Sequence, residues 1–264
     1  MAVKIFNEFK ENLKKGLPVA LATIIEGPGQ GAKLLLLPDG SYLGSLGNEK
    51  IDNVLSRDMA GELAAGRTSI RHYGIEGEAR EETLSIFIES FAPPPQMVIF
   101  GAVDFTAALV RIAKVLGYKV IVCDARPVFA TKARFPQADS VENEWPDQLM
   151  EKLGTSLGPR DAVCVLTHDN KFDVPAITSA LQTQVGYIGV MGSRKTHENR
   201  TERLIEAGVK TKEFERVMSP IGLDLGARTP EETAISICAE IIAMRTGRKA
   251  PHLKTIEGAI HGDR

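Results

Sequence analysis

Cysteine is scarce in this chain. Three occur in 264 residues, at Cys123, Cys164 and Cys238, and none precedes position 123. They show no C-x-x-C spacing, and each lies in an apolar run. The sequence therefore predicts buried, reduced thiols, with no disulfide framework, no cysteine-ligated metal and no iron–sulfur cluster. Long apolar runs are also missing: none approaches the ~18 residues needed to cross a bilayer, so no membrane span is expected. The opening MAVKIFNEFKENLKK alternates charged and apolar residues and lacks the uninterrupted apolar core of a signal peptide. A cytoplasmic location is expected. Excess charge of one sign is absent too, since 32 basic and 34 acidic residues give a formal net charge of −2. That balance predicts no nucleic-acid footprint and no membrane-surface patch. What is present, 43% apolar and 25% charged residues, is the composition of a globular protein long enough for one large domain or two ordinary ones.

The clearest break is FAPPPQ at 91–96, where three consecutive prolines make a stiff extended connector. It divides the chain into residues 1–91, a proline linker at 92–96, and residues 97–264. In the first part, Val3, Phe6, Phe9 and Leu13 recur at helical spacing, and PVALATIIE at 18–26 reads as a strand. KLLLLPDGSYLGSL at 33–46 reads as a hairpin turning at Asp39-Gly40, and Ile51, Val54, Leu55, Met59 and Leu63 mark a helix within 48–66. RTSIRHY and TLSIFIESF complete an α+β unit as two further strands. The second part alternates strands at 97–101, 119–124, 139–142, 161–167, 186–191 and 216–221 with helices at 104–116, 146–153, 173–183, 196–207 and 230–246. Runs such as MVIFG, KVIVCD and AVCVLT are apolar on both faces, as in a buried parallel sheet. The fold class is α/β: a small N-terminal α+β domain followed by a doubly wound parallel sheet. Thr229-Pro230-Glu231-Glu232 starts the last helix with a hydroxyl cap, a proline in its first turn and a glutamate three residues on.

Four turns at strand ends are candidates for binding. The first, Gly101-Ala102-Val103-Asp104, sits where a G-x-G-x-x-G dinucleotide loop would sit but keeps only the first glycine. Val103 fills the space the second glycine leaves for a pyrophosphate. Asp104 reads as a helix cap that competes with an anion for the same N–H groups. Asp124, at the end of the next strand, holds the position that meets a ribose hydroxyl in dinucleotide folds, and Arg126 is placed for a 2′-phosphate. The second turn, Thr167-His168-Asp169, points a histidine into the same crevice, with helix or turn capping as the plain alternative. The third, Gly192-Ser193-Arg194-Lys195, combines a glycine, a hydroxyl and two cations at a helix start, which suits an anion; His197 and Arg200 follow one turn apart on that helix. The fourth, SPIGLDLGART at 219–229, offers Gly222 and Asp224. No catalytic residue and no metal-ligand set stands out.

Five strings together resemble the XdhC/CoxI family of xanthine dehydrogenase accessory proteins. They are VIFGA, VIVCDARPVFATKARFPQAD, THDNKFDVPAI, GYIGVMGSRKTHENR and SPIGLDLGARTPEETAISICAEIIA, and they run from 97 to 247 almost without interruption. LAT and GAKLLLLPDGSYLGSLG carry a weaker likeness in the first part. The resemblance implies a Rossmann-like second domain and a role in binding molybdenum cofactor as cargo. It implies assistance in the cofactor's sulfuration or insertion into a molybdenum hydroxylase of the xanthine or carbon monoxide dehydrogenase type. A cysteine desulfurase partner and a homodimer would be expected. Two departures stand out. The family's first loop usually reads Gly-Ala-Gly-His, where this chain has Gly101-Ala102-Val103-Asp104. Its early Gly-Gly-Cys stretch is replaced near Gly47-Asn48-Glu49-Lys50. An NAD(P)-dependent oxidoreductase and a non-catalytic dimeric scaffold with decayed sites are the alternative readings.

Overall fold

The computed structural model describes residues 2–78, 83–153 and 156–257. The chain forms two compact units, Met1–Pro94 and Pro95–Arg264. Among the described residues no helix is long and apolar enough to cross a membrane.

The first unit contains α1 (Ala2–Lys14), β1 (Val19–Glu26), β2 (Lys33–Leu36), β3 (Tyr42–Ser45), α2 (Glu49–Ala65), β4 (Ser69–Tyr73) and β5 (Leu84–Phe91). Its strands form one antiparallel sheet in the order β3-β2-β1-β5-β4. Strand alternation feeds two cores. Ala20, Ala22, Ile24, Ile86 and Ile88 pack beneath Ile51, Leu55 and Met59 of α2, while Val19 and Leu35 face Ile5 and Phe9 of α1. Asn48 caps α2 by accepting from the N–H groups of Lys50 and Ile51.

The second unit contains β6 (Gln96–Phe100), α3 (Asp104–Val115), β7 (Lys119–Cys123), β8 (Ser140–Glu142), α4 (Pro146–Leu153), β9 (Ala162–Val165), α5 (Asn170–Leu181), β10 (Tyr187–Val190), α6 (Arg194–Glu206), β11 (Val217–Met218) and α7 (Pro230–Thr246). All strand pairs are parallel, in the order β11-β10-β9-β6-β7-β8. Met97, Ile99, Val120, Val122 and Cys164 face α3 and α7. Val98, Phe100, Ile121, Val163 and Val165 face α4, α5 and α6. The sheet is thus buried on both faces, as its unbroken apolar strands require. The chain order reverses between β6 and β9, the place where a doubly wound sheet opens a crevice at its C-terminal edge. Several bounds differ from the sequence reading. α5 starts at Asn170 and α6 at Arg194 because Asp169 and Ser193 cap them. β11 is only two residues long, and Pro220 has no N–H with which to extend it.

Candidate functional site

The first turn follows β6. Gly101 has φ +110°, and a Cβ there would lie 2.6 Å from Thr167 Cγ2 and 3.1 Å from the Thr167 backbone nitrogen. Glycine is needed because β6 and β9 leave the sheet side by side. The donors of this turn are already engaged. Gly101 N–H donates to the Cys123 carbonyl at 2.9 Å, Ala102 N–H to Asp124 Oδ2 at 2.8 Å and Val103 N–H to Thr106 Oγ1 at 3.3 Å. Thr106 Oγ1 in turn donates to the Gly101 carbonyl, and Arg134 donates to the Ala102 carbonyl at 2.9 Å. The reading of Asp104 as the helix cap is corrected. Val103 occupies the cap position without a side-chain bond, and Asp104 is the first residue of α3. Its carboxylate is exposed, 3.9 Å from Arg134. The buried Thr106 hydroxyl reaches back over the helix start instead.

Asp124 is buried and uses both carboxylate oxygens internally. Oδ1 accepts from Arg126 N–H and Nε, each at 2.9 Å; Oδ2 accepts from Ala102 N–H at 2.8 Å and from Arg126 Nη2 at 2.7 Å. Burial pushes its pKa up, but the Arg126 side chain and the backbone donors outweigh burial and hold the carboxyl below the ordinary aspartate value. With four acceptances made, Asp124 braces the first turn and Arg126 rather than offering itself to a ribose hydroxyl. Arg126 is correspondingly engaged in a bidentate pair.

The second turn follows β9. Thr167 is buried and its hydroxyl donates to Asp173 Oδ1. Asp169 caps α5 through the Lys171 N–H at 3.0 Å, and His168 is exposed. Asp173 Oδ2 accepts from Arg200 Nε at 3.1 Å and Nη2 at 2.8 Å. Burial raises the Asp173 pKa against the opposing pull of Thr167 and Arg200. Arg200 is 1% exposed, donates from Nη2 to the Met191 carbonyl at 3.0 Å, and keeps a buried Nη1 without a partner among the described residues. This network ties the turn after β9 to the turn after β10.

In that third turn Gly192 has φ +146°, and a Cβ there would sit 3.3 Å from Thr196 and 3.4 Å from Arg200 Nη2. Ser193 caps α6 by accepting from Thr196 N–H at 3.2 Å. Among the described residues nothing accepts from the backbone N–H groups of Gly192, Ser193 or Lys195, and Ser193 and Lys195 are exposed. The side chain of Arg194 lies outside the described residues. His197, one turn in, has a buried Nδ1 without a partner among the described residues, and burial, then the neighbouring Arg200 charge, pushes its pKa down.

The fourth turn follows β11, and Ile221 N–H donates to the Val190 carbonyl at 3.1 Å just before the third turn; Gly222 itself is held on the side of α7. Its φ is +96°, a Cβ would meet Ser236 Oγ at 2.5 Å, and its N–H donates at 2.9 Å to Glu240 Oε2, which also accepts from the Tyr187 hydroxyl. Gly222 thereby fastens its loop to α7, while Asp224 is exposed.

One group at this edge escaped the sequence reading. Trp145 stacks on Phe172 with centroids 4.9 Å apart and planes at 28°. Arg126 lies 5.8 Å from the Phe172 ring and 4.6 Å from that of Phe129. The available signal was a lone tryptophan directly before Pro146, at the start of a helix. Among the described residues no three His, Cys, Asp or Glu side chains gather as a metal site.

The profile of the XdhC Rossmann domain matches residues 97–241, more than half of the chain, and that of the XdhC and CoxI family matches residues 13–74. The chain belongs to the XdhC/CoxI family. Among its relatives, a Bacillus subtilis (strain 168) protein named as a probable xanthine dehydrogenase subunit is 36% identical over 165 residues, covering 62% of this chain and 47% of that protein. PaoD of Escherichia coli (strain K12), named a molybdenum cofactor insertion chaperone, is 25% identical over 162 residues, covering 61% of this chain and 44% of PaoD. The chain thus spans about half the length of these curated relatives. A crystal structure described as a xanthine dehydrogenase from Bacillus halodurans shares the fold, with TM-score 0.55, 22% identity, and coverage of 93% of this chain and 97% of that one. The XdhC Rossmann match runs from β6 into α7 and contains all the turns described above.

Proposed function

We propose that this XdhC/CoxI family member is an accessory protein: it binds molybdenum cofactor as cargo on the C-terminal edge of its six-stranded sheet and passes it to a molybdenum hydroxylase. The observation that carries the reading is the turn at Gly192–Lys195. It presents, at the start of the 13-residue α6, N–H groups from which nothing among the described residues accepts, and the second residue of that helix is the exposed Lys195. Aligned peptide dipoles place roughly half a positive charge there, which favours a phosphate-bearing ligand. Gly192, Ser193 and Lys195 would hold the anionic end; His168 lies in the neighbouring turn at the same edge. The names of the relatives support cargo transfer, and a cysteine desulfurase that sulfurates the cargo would be a second partner. The protein's own part is binding, orientation and release, without a catalytic residue. The engaged donors at Gly101–Val103 and the filled acceptors of Asp124 count against the NAD(P)-dependent alternative.

The test is purification from a cofactor-producing host, followed by molybdenum analysis and reconstitution of an apo-hydroxylase. Stoichiometric molybdenum and restored activity are expected, and Lys195→Ala should lower retention by roughly tenfold, the effect of losing one charged contact of about 1.4 kcal/mol. Protein that neither retains nor transfers the cofactor would leave the scaffold alternative in its place.

A further inference from the structure

We infer that the outer face of Trp145 is a stacking platform for a planar fused nitrogen heterocycle, the chemistry shared by pterins and purines. The inference deepens the cargo reading, on which it rests for the natural ligand, but its geometry stands separately. Trp145 is the sole tryptophan and is 42% exposed. One indole face lies on Phe172; Phe172 faces Arg126, and Arg126 lies against Phe129, itself 41% exposed. The four planar groups form a ladder with Trp145 at its open end, since among the described residues no other ring or cation stacks on it. Phe172 is thus the one aromatic partner of the indole among the described residues, and it joins the start of α4 to α5. The backbone that carries Trp145 is tied down on both sides. Asn143 Nδ2 donates to the Asp124 carbonyl at 2.8 Å, Cys123 Sγ donates to the Glu144 carbonyl at 3.4 Å, and Leu149 N–H donates to the Trp145 carbonyl at 3.1 Å as α4 begins. Arg126, Trp145 and Phe172 follow β7, β8 and β9 respectively, so the ladder stands on the edge where ligands of open α/β sheets bind. Stacking of a heterocycle on an exposed aromatic face tolerates different ring substituents, because each has a π-face.

Because Trp145 is the sole indole, emission excited selectively at the indole band comes from this residue alone. Titration with biopterin and, separately, with adenosine monophosphate should give saturable quenching with at least one of them; which one saturates assigns the source of the heterocycle. N-acetyltryptophanamide serves as the inner-filter control. By equilibrium dialysis Trp145→Ala should bind about tenfold more weakly, while Trp145→Phe stays within about threefold. Quenching that rises linearly and matches the control for both compounds overturns the platform, as does unchanged affinity in a folded Trp145→Ala. Should that variant not fold, the wild-type titration and Trp145→Phe still decide. Saturable quenching together with protein that neither retains cofactor from a cofactor-producing host nor transfers it overturns the cargo reading alone. Cofactor retention with linear quenching overturns the platform alone.

Discussion

At the scale of single residues, several groups that resemble ligand contacts in sequence are structural. Gly101 is required by Thr167, so Gly101→Ala meets both a φ of +110° and a 2.6 Å clash. We expect it to lose well over 1 kcal/mol by denaturant titration, while anion binding by the folded fraction persists. Asp124 contributes charge-assisted bonds to a buried turn. Its folded pKa is depressed, so its stabilisation is complete above the ordinary value of 3.8 and is lost as pH falls below it. Asp124→Asn should therefore be less stable than wild type by about 1.5–3 kcal/mol near neutrality, and the gap should narrow progressively below about pH 4. A gap independent of pH would refute that account. Burial pushes the thiols of Cys123 and Cys238 up to about 12 and that of Cys164 upward as well. Native protein at pH 8 should therefore show no fast thiol reaction with a disulfide reagent, and denatured protein should show three.

At the scale of elements, caps decide where helices begin. Thr229 accepts from Glu232 N–H at 3.1 Å while Glu232 accepts from the N–H groups of Arg228 and Thr229, the reciprocal cap that the sequence announces. Thr229→Ala should cost about 1 kcal/mol and roughly 2–4 °C in Tm, with no change in ligand binding. The same logic explains why α5 and α6 start earlier than their apolar periodicity suggests. Asp169 and Ser193 look like binding residues in sequence and serve as caps, leaving the neighbouring N–H groups of the third turn as the free donors. A cap in the first turn was equally legible at Asp104, yet there the buried Thr106 hydroxyl takes over. Short-range patterns offer several residues for one position, and packing selects among them.

At the scale of the whole molecule, the strand order β8-β7-β6-β9-β10-β11 brings distant segments to one edge. It sets Gly101 beside Thr167 and joins Thr167, Asp173, Arg200 and Met191 into one buried network. A nicotinamide nucleotide at 100 times its dissociation constant would add about 2.7 kcal/mol of stability. Because the first turn is already satisfied from within, no thermal shift with NAD or NADP is expected, and a clear shift would show that the turn can release Asp124. The alternation of apolar strands and amphipathic helices was readable because burial on one or two faces imposes its period on any such sequence. The aromatic ladder was not, because Phe129 and Trp145 lie in two different connections, Phe172 lies in α5, and the three share no period.

The sequence by itself determined the two-part organisation of elements, the parallel sheet, the start of α7 and the family, since each of these rests on local spacing or on contiguous strings. Only the tertiary structure decided which candidate groups remain free. Whether a carboxylate, hydroxyl or N–H can meet a ligand depends on what already holds it, and for Asp124, Thr167 and Asp173 those partners come from other elements or from the turns between them.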